Sequence, residues 1–223
     1  MYKSLAYKEW LKVRWFFIGA LLIETVFLFS LFINLRALLE FNAARDIWNS
    51  IVVKKYVYFN QIKFIPLILG FMIAVAQFYT EIQDSKLKLT LHLPLKENSS
   101  LLFMVGYGFI LLLILFSFLV ITLIIGSSVV FPAEIVKAML LTIGPWLLAG
   151  FTVYFVVANL FIEPLWITRR AVILIVGAEF ISLLLLSKGY AAYKNILFPL
   201  TIITMIFGYI ILLAGFRFKR GAK

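Results

Sequence analysis

Six long apolar runs decide what this chain can fold into. They extend over residues 15–33, 64–80, 101–128, 138–161, 171–187 and 196–216. A helix needs about 20 apolar residues to cross the hydrocarbon core of a bilayer, so each run predicts a transmembrane span. Short connections after the third run make successive spans antiparallel neighbours. The predicted fold class is all-α: a polytopic membrane protein with six transmembrane helices in a single domain, residues 1–223.

The composition agrees with a chain that lies almost wholly in a membrane. Of its 223 residues, 64% are apolar and only 14% are charged, which is far from the composition of a soluble domain. No sizeable soluble segment is left in which a separate catalytic domain could fold. The chain has no cysteine, which excludes disulfides and thiolate chemistry.

The basic residues indicate lipid partners rather than nucleic acid. The formal net charge is +11, but the Lys and Arg residues lie at the ends of apolar runs and form no single patch interleaved with exposed aromatic residues. We therefore expect contact with anionic lipid head groups and none with nucleic acid. Most of the 21 Lys and Arg residues fall on one side if both termini are cytoplasmic. That bias predicts a multi-pass protein of the cytoplasmic (inner) membrane.

The first 14 residues predict an amphipathic helix on the membrane surface that leads into the first span. Lys3, Lys8 and Lys12 alternate there with apolar residues, a pattern typical of surface helices. No small-residue cleavage site follows Ile33, so the segment is expected to be retained and not removed as a signal peptide.

The long outer connection, residues 34–63, predicts a second surface helix, because its apolar residues recur at helical spacing. Towards its end, Tyr56, Tyr58 and Phe59 follow two lysines. Aromatic rings beside lysines are typical of an interfacial anchor. We favour that interpretation over a role in gating a substrate.

The polar stretch over residues 78–101 has a pattern of its own. A short helix over residues 82–91 would lie flat on the membrane and present a mixed apolar and charged surface. Leu93-Pro94-Leu95 would end it, because proline cannot continue a helix. We interpret it as a cytoplasmic docking helix, although a solvated basic loop would also explain its lysines. The residues predicted to couple to a partner are Glu81, Ile82, Asp84, Lys86, Leu87, Lys88, Leu91 and Pro94.

Glu24 and Glu179 lie near the middle of the first and fifth runs. An acidic side chain at that depth costs roughly 2.5–3.5 kcal/mol on insertion scales, so such groups usually face the bundle interior and are paired or protonated. One hypothesis is that the two residues line a translocation path or a dimer seam. The other is that each is a protonated acid hydrogen-bonded to a nearby Thr, Ser or backbone carbonyl.

Five further carboxylates lie near predicted water boundaries, where such groups are ordinarily solvated. They are Glu9, Glu81, Glu97, Glu134 and Glu163. Glu81 is distinguished from the others because it would stand at the N-terminal end of the docking helix. The helix dipole favours a negative charge there by typically 0.3–1 kcal/mol.

The sequence predicts no catalytic, cofactor-binding or metal-binding residue. His92 is the single histidine, and no neighbouring Cys or His completes a zinc site around it. The chain contains no GxxxxGK(S/T) phosphate loop, no GxGxxG and no HExxH. We therefore do not expect an enzyme, nor hydrolysis of ATP by this chain itself.

The layout resembles the membrane subunits of the type-two permease family of ATP-binding-cassette (ABC) exporters. The resemblance rests on the basic start YKEWLKVRW (residues 7–15), on Glu81 at the end of the second span, on residues 82–91 as the coupling helix, and on the Leu93-Pro94-Leu95 turn. The topology matches over the whole chain and the motif over about 25 residues. The link between the fifth and sixth spans departs from the family, because residues 190–200 can hold at most a small re-entrant helix.

The resemblance implies six transmembrane helices per subunit, paired with a second permease copy above two separate ATPase subunits that bind ATP and Mg. It implies that Glu81, Lys86 and Lys88 orient the docking surface. Three apolar residues, Ile82, Leu87 and Leu91, would fill a groove on the ATPase. The substrate does not follow from it.

Two other classes of function stay open on the sequence alone. Glu24 and Glu179 would suit a proton- or ion-coupled secondary transporter, although such proteins usually show internal repeats and broken helices, and neither is evident here. The composition also suits a non-transporting membrane scaffold or an immunity subunit.

Overall fold

The computed structural model describes residues 2–41, 57–82, 97–163, 167–186 and 189–219. Over these ranges the chain is helical and contains no strand. The elements are α1 (Tyr2–Phe41), a 3₁₀ helix (Asn60–Phe64), α2 (Ile65–Ile82), α3 (Glu97–Ser128), α4 (Ala133–Ile162), α5 (Ile167–Leu185) and α6 (Leu197–Lys219). The fold is that of an all-helical membrane protein, as the sequence predicts. Five of its helices, α1 to α4 and α6, are long and apolar enough to cross a bilayer.

Helix α5 coincides with the predicted fifth span but differs from the other five. It has 19 residues and a length of about 28 Å at 1.5 Å per residue, close to the thickness of the hydrocarbon core. Its first turn contains Arg169 and Arg170, and Glu179 lies further along. Every 18-residue stretch of α5 contains these three charges, whereas each candidate span has an 18-residue stretch with two or fewer. A sixth crossing of the membrane by α5 stays a prediction.

The bundle is built around α4, which contacts α2, α3, α5 and α6. Its closest neighbour is α2, and glycine makes that closeness possible. A Cβ atom on Gly70 would collide with the backbone carbonyl of Gly150, and a Cβ on Gly150 would lie 2.5 Å from the carbonyl oxygen of Pro66. Only glycine fits at these two positions, so α2 and α4 pack backbone against backbone.

Helix α1 corrects two expectations about the ends of the first span. Its 40 residues extend over about 60 Å, twice the thickness of the hydrocarbon core. Residues 2–14 are helical, as predicted, but they are continuous with the span, and their Leu5, Glu9 and Val13 side chains are buried in the bundle. The helix also continues past Asn34, where the outer connection was predicted to begin, as far as Phe41. The second surface helix predicted in that connection falls mostly on residues outside the described ranges.

The interfacial anchor predicted before the second span was wrong for Phe59. Phe59 is completely buried and packs against Trp146 and Tyr190, with ring centroids 5.5 and 5.8 Å away. Tyr58 is half-buried, and its hydroxyl lies 2.9 Å from the Ser127 hydroxyl. Phe59 therefore packs inside the bundle, and an anchoring role for Tyr58 stays a prediction.

The link between α5 and α6 is short, as predicted. Over residues 189–196 the structure shows turns and no helix. Ala191 adopts a positive φ of 55°, a conformation uncommon for residues other than glycine. Its N–H donates to the Thr142 hydroxyl oxygen at 2.9 Å, which ties this turn to α4.

Candidate functional site

A buried cluster of polar side chains lies at one end of the bundle. We call this the basal end: α1 and α3 begin there, and α2 and α4 end there. The cluster, hereafter the basal network, joins residues from three helices that are far apart in the chain. Its members are Lys8, Glu9, Lys12, Gln77, Glu81 and Tyr154.

Two lysines of α1 hold the carboxylate at the end of α2. Glu81 Oε1 is in close contact with Lys12 Nζ and lies 2.9 Å from Lys8 Nζ. Lys12 also donates to Glu9 Oε1 at 2.6 Å. The Glu81 side chain is 1% exposed and that of Lys12 12%. A buried charge is tolerated only when it is paired and hydrogen-bonded. Each of these charged groups therefore makes the burial of its partner possible.

Helical spacing explains why these residues meet. Lys8 and Lys12 are one turn apart on α1, and Gln77 and Glu81 are one turn apart on α2. Residues four apart lie on the same face of a helix. Each helix therefore presents a pair of polar side chains to the other.

Gln77 links the ion pairs to the rest of the bundle. Its amide nitrogen donates to Glu9 Oε2 at 3.0 Å and to the backbone carbonyl of Met104 at 2.6 Å. Its amide oxygen lies 2.9 Å from the hydroxyl of Tyr154, which is also 3.1 Å from the carbonyl of Val105. One side chain thus joins α1, α2, α3 and α4.

Gly108 on α3 leaves the room that this arrangement needs. A Cβ atom at that position would collide with the Tyr154 hydroxyl and with the amide oxygen of Gln77. Two residues away, a Cβ on Gly106 would meet nothing within 4 Å. The two glycines therefore have different roles, and only Gly108 is required by the basal network.

Three of the five carboxylates expected in water are instead buried. Glu9 is 2% exposed, Glu81 1% and Glu163 completely buried, so the prediction that they are solvated was wrong. Glu134 is exposed, as predicted, and the side chain of Glu97 lies outside the described residues. The reason for the difference at Glu9 and Glu81 is that α1 continues past the predicted boundary and covers the end of α2.

The structure adds a second reason for the charge of Glu81. It lies in the last described turn of α2, where Lys8 and Lys12 of α1 stabilise its carboxylate. The contribution of the docking-helix dipole stays a prediction, because residues 83–96 lie outside the described part of the chain. The other predicted coupling residues lie outside the described part of the chain, except for the backbone of Ile82. They are Asp84, Lys86, Leu87, Lys88, Leu91 and Pro94. His92 lies in the same undescribed stretch, residues 83–96.

A second charged group closes the corner between α4 and α5. Arg170 donates from Nε and Nη2 to the backbone carbonyl of Glu163, at 3.2 and 2.6 Å. The guanidinium of Arg169 lies 3.7 Å from the carboxylate of Glu163. Because Glu163 directly follows α4, this corner lies at the basal end.

The structure separates Glu24 from Glu179. Glu24 lies on the buried stripe of α1 between Ala20 and Leu28. Neither carboxyl oxygen makes a hydrogen bond of normal geometry to the described residues, although the carboxyl group faces the backbone of Leu119 on α3. Glu179 is exposed on the outer surface of α5. The expectation that such an acid faces the bundle interior therefore holds for Glu24 only, and a dimer seam at Glu179 stays a prediction.

The sequence reasoning missed four members of the basal network: Lys8, Lys12, Gln77 and Tyr154. Two patterns could have indicated the first three. Lys8, Glu9 and Lys12 bring opposite charges within one turn of a helix, and Gln77 and Glu81 are polar residues one turn apart at the end of an apolar span. Tyr154 gives no such signal, because a tyrosine in an apolar helix is usually part of the core.

The described residues contain no group of His, Cys, Asp and Glu that could hold a metal ion. Comparison of the chain with protein-family models, with curated proteins and with solved structures gave no match. The geometry of the basal network, together with the pattern of the stretch that follows it, is therefore the basis of the functional proposal.

Proposed function

We propose that this chain is the transmembrane permease subunit of an ABC transporter. It would move a substrate across the membrane while a separate subunit hydrolyses ATP with Mg. The observation on which the proposal rests is the burial of Glu81 at the end of α2 and its pairing with Lys8 and Lys12. This residue directly precedes the stretch that we interpret as the docking helix, residues 82–91.

A docking helix can transmit force only if its base is rigid. The ion pairs at Glu81 attach that base to α1, and the Gly70–Gly150 contact attaches α2 to α4. Movement of the docking stretch would thus shift α2 together with its neighbours as one body. Rigid-body displacement between two packed arrangements is a common way in which an event at one site changes a distant one.

The experiment that tests the coupling role replaces two apolar residues of the docking stretch. Leu87→Asp combined with Leu91→Asp should abolish co-purification of the ATPase subunit and transport, because buried charges oppose packing into a groove on the partner. The matched control is Val129→Asp with Val130→Asp, which places the same two charges in the exposed turn between α3 and α4 at the opposite end. Retention of the ATPase subunit by the docking variant would reject the assignment.

The proposed partner in the membrane is a second permease copy. On α5 the exposed residues Val176, Glu179 and Leu183 recur every three or four positions and form one stripe. A glutamate facing hydrocarbon is costly, and a two-fold axis would bring the two Glu179 side chains together so that protonated carboxyls could hydrogen-bond.

The absence of cysteine from the sequence provides a direct test of this pairing. Val176→Cys should form a disulfide-linked dimer in membranes. Leu174→Cys, also exposed but off the stripe, should not. Equal cross-linking of the two variants would argue against a dimer through this face.

Ion-coupled transport is the second candidate, because Glu24 is buried in the first span without a hydrogen-bond partner among the described residues. Such a group can exchange a proton or cation during a transport cycle. The exposed position of Glu179 argues against a relay between the two acids. Glu24→Gln and Glu179→Gln are both expected to assemble normally and to transport less. Full transport by both variants would reject a functional role.

A further inference from the structure

A cleft of about 240 Å³ opens at the basal end between the start of α5 and the second half of α6. Its surface is almost wholly apolar and is formed by Val172, Ile173 and Ile210 together with the carbon atoms of Thr168 and Arg169. Because α5 begins at the basal end, Thr168 and Arg169 lie nearer to that end than Val172 and Ile173. The apolar cleft therefore has two polar side chains beside its basal end.

The two arginines beside the cleft have different tasks. Arg170 is half-buried and donates twice to the backbone carbonyl of Glu163, so it fixes the corner between α4 and α5. Arg169 lines the cleft with 45% of its side chain exposed, and its distance to the Glu163 carboxylate is 3.7 Å. A guanidinium has five donors in a planar fork that matches a phosphate group. Arg169 can thus contact an anion in the cleft and keep its pairing with Glu163.

The size and shape of the cleft favour part of a long molecule. Its volume is below the roughly 300–1,000 Å³ of pockets that enclose compact ligands. A long amphipathic ligand would place its anionic group at Arg169 and extend its apolar part along α5 and α6. Basic pockets between transmembrane helices are known to bind lipid head groups in this way.

We propose that this cleft binds an anionic phospholipid. Arg169 and Thr168 contact the phosphate, and the first part of an acyl chain lies against Val172, Ile173 and Ile210. The site does not depend on the ABC assignment, since it requires only that α5 and α6 lie in the membrane.

The test measures lipid retained by the full-length protein in mixed micelles that contain phosphatidylglycerol and phosphatidylcholine, by native mass spectrometry. Wild-type protein should retain phosphatidylglycerol in preference. Arg169→Gln should lower its affinity by about five-fold, the effect of one basic residue at a membrane surface. Ile210→Trp should lower it to a similar extent by filling the cleft, and it leaves the Arg169–Glu163 pair in place. Arg36→Gln is the control, because Arg36 is 82% exposed near the other end of α1.

Each outcome decides the proposal. Loss of phosphatidylglycerol in both cleft variants, with retention in Arg36→Gln, supports it. If Arg169→Gln does not fold, the result for Ile210→Trp decides instead. Three results would overturn the proposal. They are retention of phosphatidylglycerol by Ile210→Trp at the wild-type level, equal retention of the two lipids by the wild-type protein, and displacement of the lipid by inorganic phosphate alone.

Discussion

Glu9 and Glu24 lie on the same buried stripe of α1, about 22 Å apart along the helix axis, and their surroundings are opposite. Glu9 accepts hydrogen bonds from Lys12 and Gln77 at 2.6 and 3.0 Å. Glu24 has no such partner among the described residues. Hydrogen bonds to several donors are enough to explain why a carboxylate such as Glu9 is buried. One without them costs free energy, so its presence calls for a functional explanation.

Because Glu9 belongs to the basal network and Glu24 does not, we expect stability to depend on the basal network. We expect Glu24 to be replaceable without loss of stability. The largest effect is expected for Glu81→Ala, which leaves Lys12 buried without the carboxylate of α2. Loss of one partner of a buried ion pair costs about 3–5 kcal/mol in free energy of unfolding. Because Lys12 keeps its contact with Glu9, a cost in the lower half of that range is expected, measured by unfolding in detergent. The control is Glu40→Ala, whose partner Arg36 is exposed and which should cost less than about 1 kcal/mol. An equal loss of unfolding free energy in the two variants would show that the buried ion pair stabilises the protein no more than the exposed one.

Gln77→Leu is expected to cost about 3 kcal/mol, the upper end for leaving a buried polar group unsatisfied. The reason is that Glu9, Tyr154 and the carbonyl of Met104 all lose a partner at once. Gln61→Leu is the matched control, because Gln61 is exposed and lies 3.5 Å from the Asn34 amide. A loss for Gln77→Leu as small as that of the control would contradict the bridging role of Gln77.

Gly108→Ala should cost about 2 kcal/mol, within the range for overpacking a buried site, because the added methyl group collides with Tyr154. Gly106→Ala in the same helix should instead be neutral or stabilising, since alanine favours helices and nothing lies near its Cβ. Thermal unfolding of the two variants, compared directly, checks the prediction. The opposite order of stability would mean that the network is not packed against α3.

Glu24→Gln is expected to change the free energy of unfolding by less than about 0.5 kcal/mol, the usual range for sites without a specific interaction. The same chemical denaturation experiment measures it beside Glu9→Gln, which should destabilise the protein because Glu9 loses its charge beside Lys12. If Glu24→Gln were the more destabilising of the two, Glu24 would have a structural partner and the contrast with Glu9 would fail.

The sequence is sufficient to predict the long helices of the described residues, but it is not sufficient to predict the basal network. Apolar runs predict spans because each backbone in lipid must satisfy its own hydrogen bonds, and this is a local property. The ion pair between Lys12 and Glu81 joins residues 69 positions apart and depends on how far α1 extends. A charged turn such as residues 8–12 is ordinarily solvated, so no local pattern indicates that α1 continues there as a packed helix.

The sequence identifies Glu81 as a residue of the candidate site but does not predict the side chains that surround it. Glu81 was singled out because it precedes a proline-terminated polar stretch, and it is a member of the network. Its partners were missed because nothing local distinguishes a lysine that pairs across the bundle from one that contacts lipid head groups. For Glu179 the sequence predicts a position near the middle of an apolar run, but it does not predict that the side chain is exposed. That exposure depends on which helices pack against α5, which is not a local property of the sequence.

A buried ion pair between Lys12 and Glu81 joins α1 to the end of α2, and a double-mutant cycle measures the strength of that connection. Lys12→Met, Glu81→Leu and the double variant would be compared with the wild-type protein by chemical unfolding. A coupled pair should give an interaction free energy of about 2 kcal/mol, so that the double variant loses much less than the two single variants together. Losses that add to within about 0.3 kcal/mol would contradict the claim that these two residues join α1 to α2.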